Sequence, residues 1–444
     1  MSQRPLTAVI LAAGLGTRLR SRRPKVLHGV GSKPMIDLVV EACCQAGVAR
    51  PIAVLNPAQP EVAEHLGDRC QVVYQQQPRG TGHALAMVPG NLLKGDVLVV
   101  NGDAALLRPE TIRALIEQHR ASSAKVTIAS TIDPLRNDGR ILRDDQGGFK
   151  RIVEDKDASA AERLVTEINV GLYCFRAEDL QGALAGLKPE NKAAEIYLTD
   201  AVGRLSPVEI FAIADSDEAL GINDRVELAR AEDVLRRRIL DRLMLSGVTV
   251  RDPGSTWVST EAEIGQDTVI EPFTIISGAT RIGAGCRIGP HADVGDSTIG
   301  DGCRIEHSWL RDVRIEEGVQ CGPFVRIRPG TTIAADVYIG SFAEINRSSI
   351  GSGSKVPHFS YLGDAVVGRN VNIGAGTITA NYDGVDKNRT VIEDGAFVGV
   401  DTMLRAPVKL GRGSRTGAGS VVLYDVPPGV TVAGAPAKEI RRKG

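Results

Sequence analysis

Arg281-Ile-Gly-Ala-Gly-Cys-Arg-Ile-Gly-Pro-His-Ala-Asp-Val-Gly-Asp-Ser-Thr-Ile-Gly300 puts an aliphatic residue followed by glycine at Ile282, Ile288, Val294 and Ile299. The doublet, with Glu sometimes in place of Gly, also occurs at Ile264-Gly265, Ile305-Glu306, Ile315-Glu316, Ile339-Gly340, Ile350-Gly351, Val367-Gly368, Ile373-Gly374, Val398-Gly399 and Leu410-Gly411. A strand turns a side chain inward every second residue and a sandwich breaks every 8–12 residues, so a sustained step of six fits neither a strand nor a sandwich. It fits a hexapeptide solenoid whose coils have three flat faces, each with one aliphatic side chain inward. The expectation is a left-handed parallel β-helix over 248–444, with corners tight enough to admit only small residues. Such flat faces pack side by side, and a homotrimer is expected.

Upstream the pattern changes. Residues 1–223 alternate apolar strand-like runs with helical patterns, which predicts βαβ units on a mainly parallel, Rossmann-like sheet. Thr7-Ala-Val-Ile-Leu11 and Asp96-Val-Leu-Val-Val100 read as buried strands. From Asp224, with Glu227 three residues on, apolar residues recur at helical spacing until Gly247, which predicts a linker helix over 224–247. The fold class is therefore α/β plus all-β.

Lys and Arg number 53 against 54 Asp and Glu, a net charge of -1, so no global field recruits nucleic acid or an anionic membrane. The opening Met1-Ser-Gln-Arg-Pro-Leu-Thr7 lacks the apolar stretch of a secretory signal, and no apolar run of membrane-spanning length follows. The 7 cysteines are scattered without a Cys-x-x-Cys pair, which argues against a disulfide framework or zinc site and for a reducing cytoplasm. Aromatics at 4% beside 49 glycines agree with a solenoid of small and β-branched residues.

Leu11-Ala-Ala-Gly-Leu-Gly-Thr-Arg18 follows the first strand, and the amides of Gly14 and Gly16 can approach a phosphate closely for want of a Cβ. It lacks the Gly-Lys-Ser/Thr of a Walker loop and the third glycine of a dinucleotide fingerprint. Arg18 and Pro24-Lys25 add cations where a triphosphate would lie. Asp103, in Asn101-Gly-Asp103, projects from a strand's carboxyl end, a place suited to a hard cation.

Together, Leu11 to Arg18 and Pro24-Lys25-Val-Leu-His28 resemble the signature of sugar-nucleotide pyrophosphorylases. More narrowly, the whole chain resembles the bifunctional N-acetylglucosamine-1-phosphate uridylyltransferase/glucosamine-1-phosphate acetyltransferase family. The resemblance implies UTP contacts at Leu11, Ala12, Gly14 and Lys25, and a uracil-binding segment of Gln75 and Gly80-Thr81-Gly82-His83. It implies an acetylamino-sugar pocket of Gly139, Glu154, Asn169 and Gly171, closed by Glu195, Tyr197 and Thr199. It makes Asp103 and Asn223 the ligands of Mg²⁺, with Mn²⁺ the alternative. An asparagine at a helix start is otherwise an ordinary cap. Where this family usually follows the aspartate with proline, the chain has Ala104-Ala105.

The repeat is interrupted at His358-Phe-Ser-Tyr-Leu-Gly-Asp364 and Thr379-Ala-Asn-Tyr-Asp-Gly384, which reads as protruding loops on a binding face. The resemblance makes His358 the base that takes the ammonium proton of the amino sugar, a task suited to a group titrating near neutrality. It assigns Arg328, Glu344, Asn346, Tyr361 and Asn372 to the acetyl acceptor and Ala375, Asn381, Tyr382, Val400 and Ala418 to acetyl-CoA. Asn346 stands where the family has a phosphate-binding lysine, beside Arg347, and Val400 where it has a serine. The tail Val432-Ala-Gly-Ala-Pro-Ala-Lys438 resembles that of generic hexapeptide acyltransferases, where the family has a basic segment. The implied partners are small molecules, UTP, acetyl-CoA and the two sugar phosphates. The competing readings are a monofunctional nucleotidylyltransferase with a structural or regulatory solenoid, and a non-catalytic trimeric scaffold.

Overall fold

The structure, a computed structural model, describes residues 4–189, 191–192 and 194–440. The chain divides into two compact units between Leu235 and Arg236.

In the first unit a nine-stranded sheet contains β1 (Leu6–Ala12), β2 (Ile52–Leu55), β3 (Gln71–Tyr74), β4 (Asp96–Asn101), β5 (Val126–Ile132), β6 (Arg140–Arg143), β7 (Phe149–Val153), β8 (Glu167–Arg176) and β9 (Val208–Ala212). Its order is β9-β5-β8-β4-β1-β2-β3, with the β6–β7 hairpin attached to β8. β1 runs parallel to β2 and β4. The one reversed strand within that order, β8, is antiparallel to both neighbours. The central strands are apolar on both faces because helices cover both. Ala8, Ile10, Leu98 and Val100 pack into one core, Val9, Val97, Val99 and Phe175 into the other. After β1 the strand order changes direction, with β2 and β3 on one side and β4 on the other. The carboxyl ends of β1 and β4 therefore open a crevice, where such sheets bind ligands.

The second unit is a stack of short strands in three sheets of twelve, ten and nine among the described residues. Every described pairing in them is parallel except the last, Thr431–Ala433 with Lys438–Glu439. One inward column runs Ile270, Ile288, Ile305, Cys321, Ile339, Val356, each pairing with the next coil, and all six are buried. Each such side chain contributes roughly 1.5–3 kcal/mol by leaving water, and each coil relies on its neighbours for that burial. This is the left-handed β-helix of the hexapeptide pattern.

The corners correct the sequence reading. Two of the three corners use glycine, aspartate or asparagine at many coils, as at Gly285, Gly302, Asp336 and Asp312. The third carries Phe273, His291, His307, Phe324 and Phe342 on successive coils, all at positive φ between 43° and 64°. Small size is not needed there because the side chains point outward. The rings lie on one another with centroids 4.9–5.5 Å apart, and ring pairing of about 0.5–1.5 kcal/mol offsets an unfavourable backbone.

A helix over Arg225–Leu245 spans the point where the units divide. Asp224 caps it, its Oδ1 accepting from the amides of Val226 and Glu227 at 2.9 Å. Gly247, at φ 97°, ends it in the left-handed conformation. No helix among the described residues is long and apolar enough to cross a membrane.

Candidate active sites

The first site grows from the ends of β1 and β4. Leu11 pairs with Asn101, and the Gly102 amide donates to the Leu11 carbonyl at 2.9 Å, so the glycine loop and Asp103 leave the sheet side by side. Gly14 borders open space, and Gly16, at φ 64°, lies against Lys25 so closely that a Cβ would strike its side chain. Lys25, in a single 3₁₀ turn, donates from Nζ to Asp103 Oδ2 and, at 2.7 Å, to Asn223 Oδ1.

Asn223 is aimed by its neighbours. Its amide N–H donates to Glu227 Oε2 at 2.6 Å and its Nδ2 to the Gly221 carbonyl at 3.2 Å, which turns Oδ1 toward Lys25. It is not the helix cap; Asp224 is, and Glu227 reaches one residue further back than the expected capping box. One carboxylate and one amide oxygen thus converge on a single positive charge. These are hard oxygen donors of the kind a divalent metal takes. No cluster of three or more His, Cys, Asp or Glu gathers as a metal cage among the described residues.

Beside this point lies a cavity of about 690 Å³, with Arg18, Thr81, Asp103 and Asn223 in its wall. Gly139, Glu154, Asn169, Gly171, Glu195, Tyr197 and Thr199 line it as well. Burial pushes the Glu154 carboxyl above its ordinary value, while a 3.0 Å hydrogen bond from Thr199 Oγ1 opposes the shift. Asn169 Nδ2 donates to the buried Tyr173 hydroxyl at 2.7 Å. Burial pushes Tyr197 up to about 12. The sequence reading missed Arg136, Asp138 and Tyr173, which also line the cavity. Tyr173 sits in an apolar strand and reads as core; Arg136 and Asp138 differ from other loop charges only by lying within three residues of Gly139.

At the other end, Gln75 is 3% exposed, no solvated loop residue. Its neighbour segment is clamped. A Cβ on Gly80 or Gly82 would collide with the backbone of Ile196 or Tyr197. The Gly82 amide donates to the Ile196 carbonyl at 2.9 Å, and Thr81 Oγ1 accepts from the Leu198 amide at 3.1 Å. The glycines permit the close approach that ties this segment to the strip carrying Tyr197 and Thr199.

In the second unit the candidates lie on two adjoining faces and at both corners of one of them. On one face Arg326, Glu344, Tyr361 and Ile378 pair in succession, and Arg328 Nη1 lies 3.2 Å from Glu344 Oε1. Asn346 pairs with Gly363 and is buried. On the adjoining face Asn372 pairs with Lys355 and Phe397. Arg347 does not supplement Asn346: its guanidinium holds both oxygens of Asp364 at 2.8 Å. Asn381 Nδ2 donates to the same carboxylate at 2.5 Å.

Ser360–Gly363 is a regular strand, not a protruding loop. The interruption after Ile378 is a true insertion. Ile378 pairs with Met403, 25 positions on, where the flanking steps, Tyr361 to Ile378 and Met403 to Val421, are 17 and 18. Tyr382, 60% exposed, lies in it and donates to the Gly384 carbonyl at 2.6 Å. The same registers stack His358, Ala375, Val400 and Ala418 on successive coils at the corner that carries the rings. Phe359 is the last ring of that corner; Gly376, Asp401 and Gly419 follow it. His358 is exposed.

Comparison with known proteins adds to this geometry. A family described as MobA-like NTP transferase domain matches residues 8–200, and one described as bacterial transferase hexapeptide (six repeats) matches 261–295. The bifunctional protein GlmU of Heliobacterium modesticaldum is 48% identical over 430 residues, 95% of this chain and 94% of its own length. That of Carboxydothermus hydrogenoformans is 46% identical over 95% of this chain and 96% of its own length. That of Syntrophomonas wolfei is 45% identical over 99% of this chain and all of its own length.

Proposed function

The chain belongs to the GlmU family of bifunctional proteins, and from that premise we propose how its residues carry two successive steps of UDP-N-acetylglucosamine synthesis. The enzyme is an N-acetyltransferase in its coil unit and a uridylyltransferase in its sheet unit. The first step moves an acetyl group from acetyl-CoA to glucosamine 1-phosphate. The second joins the product to UTP and releases pyrophosphate.

For uridylyl transfer, an oxygen of the sugar 1-phosphate attacks the α-phosphorus of UTP in line as the bond to pyrophosphate breaks. Charge gathers on the phosphate oxygens, and catalysis is positioning plus electrostatic stabilisation, with no protein nucleophile. Lys25 and Arg18 supply the cations. Asp103 and Asn223 would hold the divalent metal, Mg²⁺ or in its place Mn²⁺, whose charge when bound neutralises phosphate oxygens. Lys25 bridges the same two oxygens, so in the loaded site its ammonium turns to the triphosphate. The Leu11, Ala12 and Gly14 backbone borders the phosphates, Gln75 and Gly80 receive the base, and Gly139, Glu154, Asn169 and Thr199 receive the N-acetyl sugar. The observation that carries this reading is the convergence of Lys25, Asp103 and Asn223 on one point beside the cavity.

For acetyl transfer, the ammonium of glucosamine 1-phosphate loses a proton to His358, the freed amine attacks the thioester carbonyl and sheds a second proton as the amide forms, and the C–S bond breaks, the thiolate taking up one of the two protons to leave as the thiol of coenzyme A. Ala375, Val400 and Ala418 continue the His358 column over about 15 Å at the spacing of parallel strands. They leave a ring-free track for the acyl carrier; Asn381 and Tyr382, the other acyl-carrier contacts, stand at the opposite corner of the same face. Arg328 takes the acceptor phosphate, with Asn346, Tyr361 and Asn372 around the sugar and Glu344 orienting Arg328. These residues diverge around a convex edge, which a second copy of the chain must cover, in keeping with a homotrimer. All substrates are water-soluble and small, which suits a cytoplasmic enzyme without nucleic-acid or membrane partners.

The test is a panel of nucleoside triphosphates against hexose 1-phosphates with acetyl-CoA present or absent. Pyrophosphate release is expected with UTP and N-acetylglucosamine 1-phosphate, and thiol release with glucosamine 1-phosphate. Pyrophosphate without thiol at millimolar acceptor would leave only the nucleotidylyl half of the proposal standing.

A further inference from the structure

Gln75 carries a polar lock that the transfer chemistry does not use. Its Nε2 donates to the Gly80 carbonyl at 3.2 Å and lies 2.8 Å from His83 Nδ1. A carbonyl only accepts, so the nitrogen end of the carboxamide faces inward. With Nε2 as donor on both sides, His83 Nδ1 must be unprotonated, and the ring carries its proton on Nε2. Burial holds the His83 pKa below its ordinary value, with Arg79 adding to the effect, so the ring is neutral at physiological pH. Gln75 Oε1 accepts no hydrogen bond from the described residues and keeps some exposure to solvent. Both amide hydrogens are spent inward and only an acceptor is offered outward.

We infer that His83 is a positioning residue that sets base specificity: by accepting from Gln75 it fixes the carboxamide oxygen-outward, so that the site pairs with a base donating from N3 and refuses one that accepts there. Uracil carries N3–H; cytosine presents an unprotonated N3, and two acceptors face to face repel while both stay unpaired. This rests on the reading of Gln75 as a base contact. His83 lies on the helix Thr81–Ala86 that Gly80 and Gly82 clamp against Ile196 and Tyr197, so the accepting nitrogen is held firmly.

The test compares kcat/KM for UTP and CTP in the wild type, His83→Leu and His83→Asn. Leucine matches the position of Nδ1 with a methyl group, whereas asparagine can put an accepting oxygen there. Wild type is expected to prefer UTP by about a hundredfold or more. His83→Leu should reduce that preference by about tenfold, the orienting worth of one buried hydrogen bond, through KM for UTP and not kcat. His83→Asn should restore most of it. A wild type indifferent to the base overturns the reading of Gln75 itself. A marked wild-type preference that His83→Leu leaves intact, or that His83→Asn loses as fully as His83→Leu, overturns the role of His83 alone. Should His83→Leu not fold, His83→Ala carries the same comparison.

Discussion

In the sheet unit Lys25, Asp103 and Asn223 arrive from three distant parts of the sequence and meet because parallel strands end side by side; in the coil unit Glu344, Tyr361 and Ile378 are consecutive steps of one register. The first arrangement is concave, enclosing a cavity of about 690 Å³ with Glu154 and Asp138 half-buried in its wall. The second is convex, with His358 on an exposed edge. A concave site built from loops brings charges together and must hold them there with specific bonds, such as those that aim Asn223. A convex site built from register needs no such bonds for alignment, since neighbouring coils lie about 4.8 Å apart by construction. It has instead nothing of its own with which to exclude water.

The contrast can be broken by substitution. Lys25→Ala removes both the charge and the contact that gathers Asp103 and Asn223, and uridylyl transfer should fall about 10³-fold or more, with acetyl transfer unchanged. Parallel assays check this, and equal loss of both activities would break the independence of the two sites. His358→Ala should lower acetyl transfer by roughly 10²–10⁴-fold and spare uridylyl transfer. Asn346→Lys should lower KM for glucosamine 1-phosphate by about tenfold as it returns a charged hydrogen bond to the phosphate; an unchanged KM would mean that Arg328 alone suffices.

The smallest effect concerns stability. Hydrogen bonds from Arg347, with one from Asn381, hold the Asp364 carboxyl below its ordinary value despite partial burial. A depressed carboxylate pKa stabilises the folded state above the unfolded value, and that stability is lost as pH falls through the folded value. Arg347→Ala should therefore cost less than about 1 kcal/mol, since the pair is partly exposed, and lower the melting temperature by a few degrees at neutral pH. The difference from wild type should vanish in acid, which melting curves across pH would show.

The coil architecture was readable from Ile282, Ile288 and Val294 because burial at every sixth residue leaves an aliphatic mark that no other element imitates. Strand direction left none. β8 is apolar whether it runs parallel or antiparallel, and its reversal between β4 and β5 arises from connections that propensity does not encode. The ring column was hidden by a sound rule misapplied, since positive φ disfavours bulky residues unless their neighbours on adjacent coils support them. Lys25 and Asp103 stood out as charges beside strand ends. Tyr173 did not, because a hydroxyl inside Asn-Val-Gly-Leu-Tyr-Cys-Phe looks like core until Asn169 is found hydrogen-bonded to it. The alignment of Ala375, Val400 and Ala418 with His358 emerges only after the 25-residue step is counted.

The near-constant length of a coil sets how such a chain can change length. Removing one whole turn of the coil upstream of Arg326 would return every later residue to the same face, whereas removing half as many residues would rotate the remainder onto the wrong one. The earlier turns are thus interchangeable spacers, and descendants of this gene can be shortened or extended there in units of a full turn while the downstream chemistry stays in alignment.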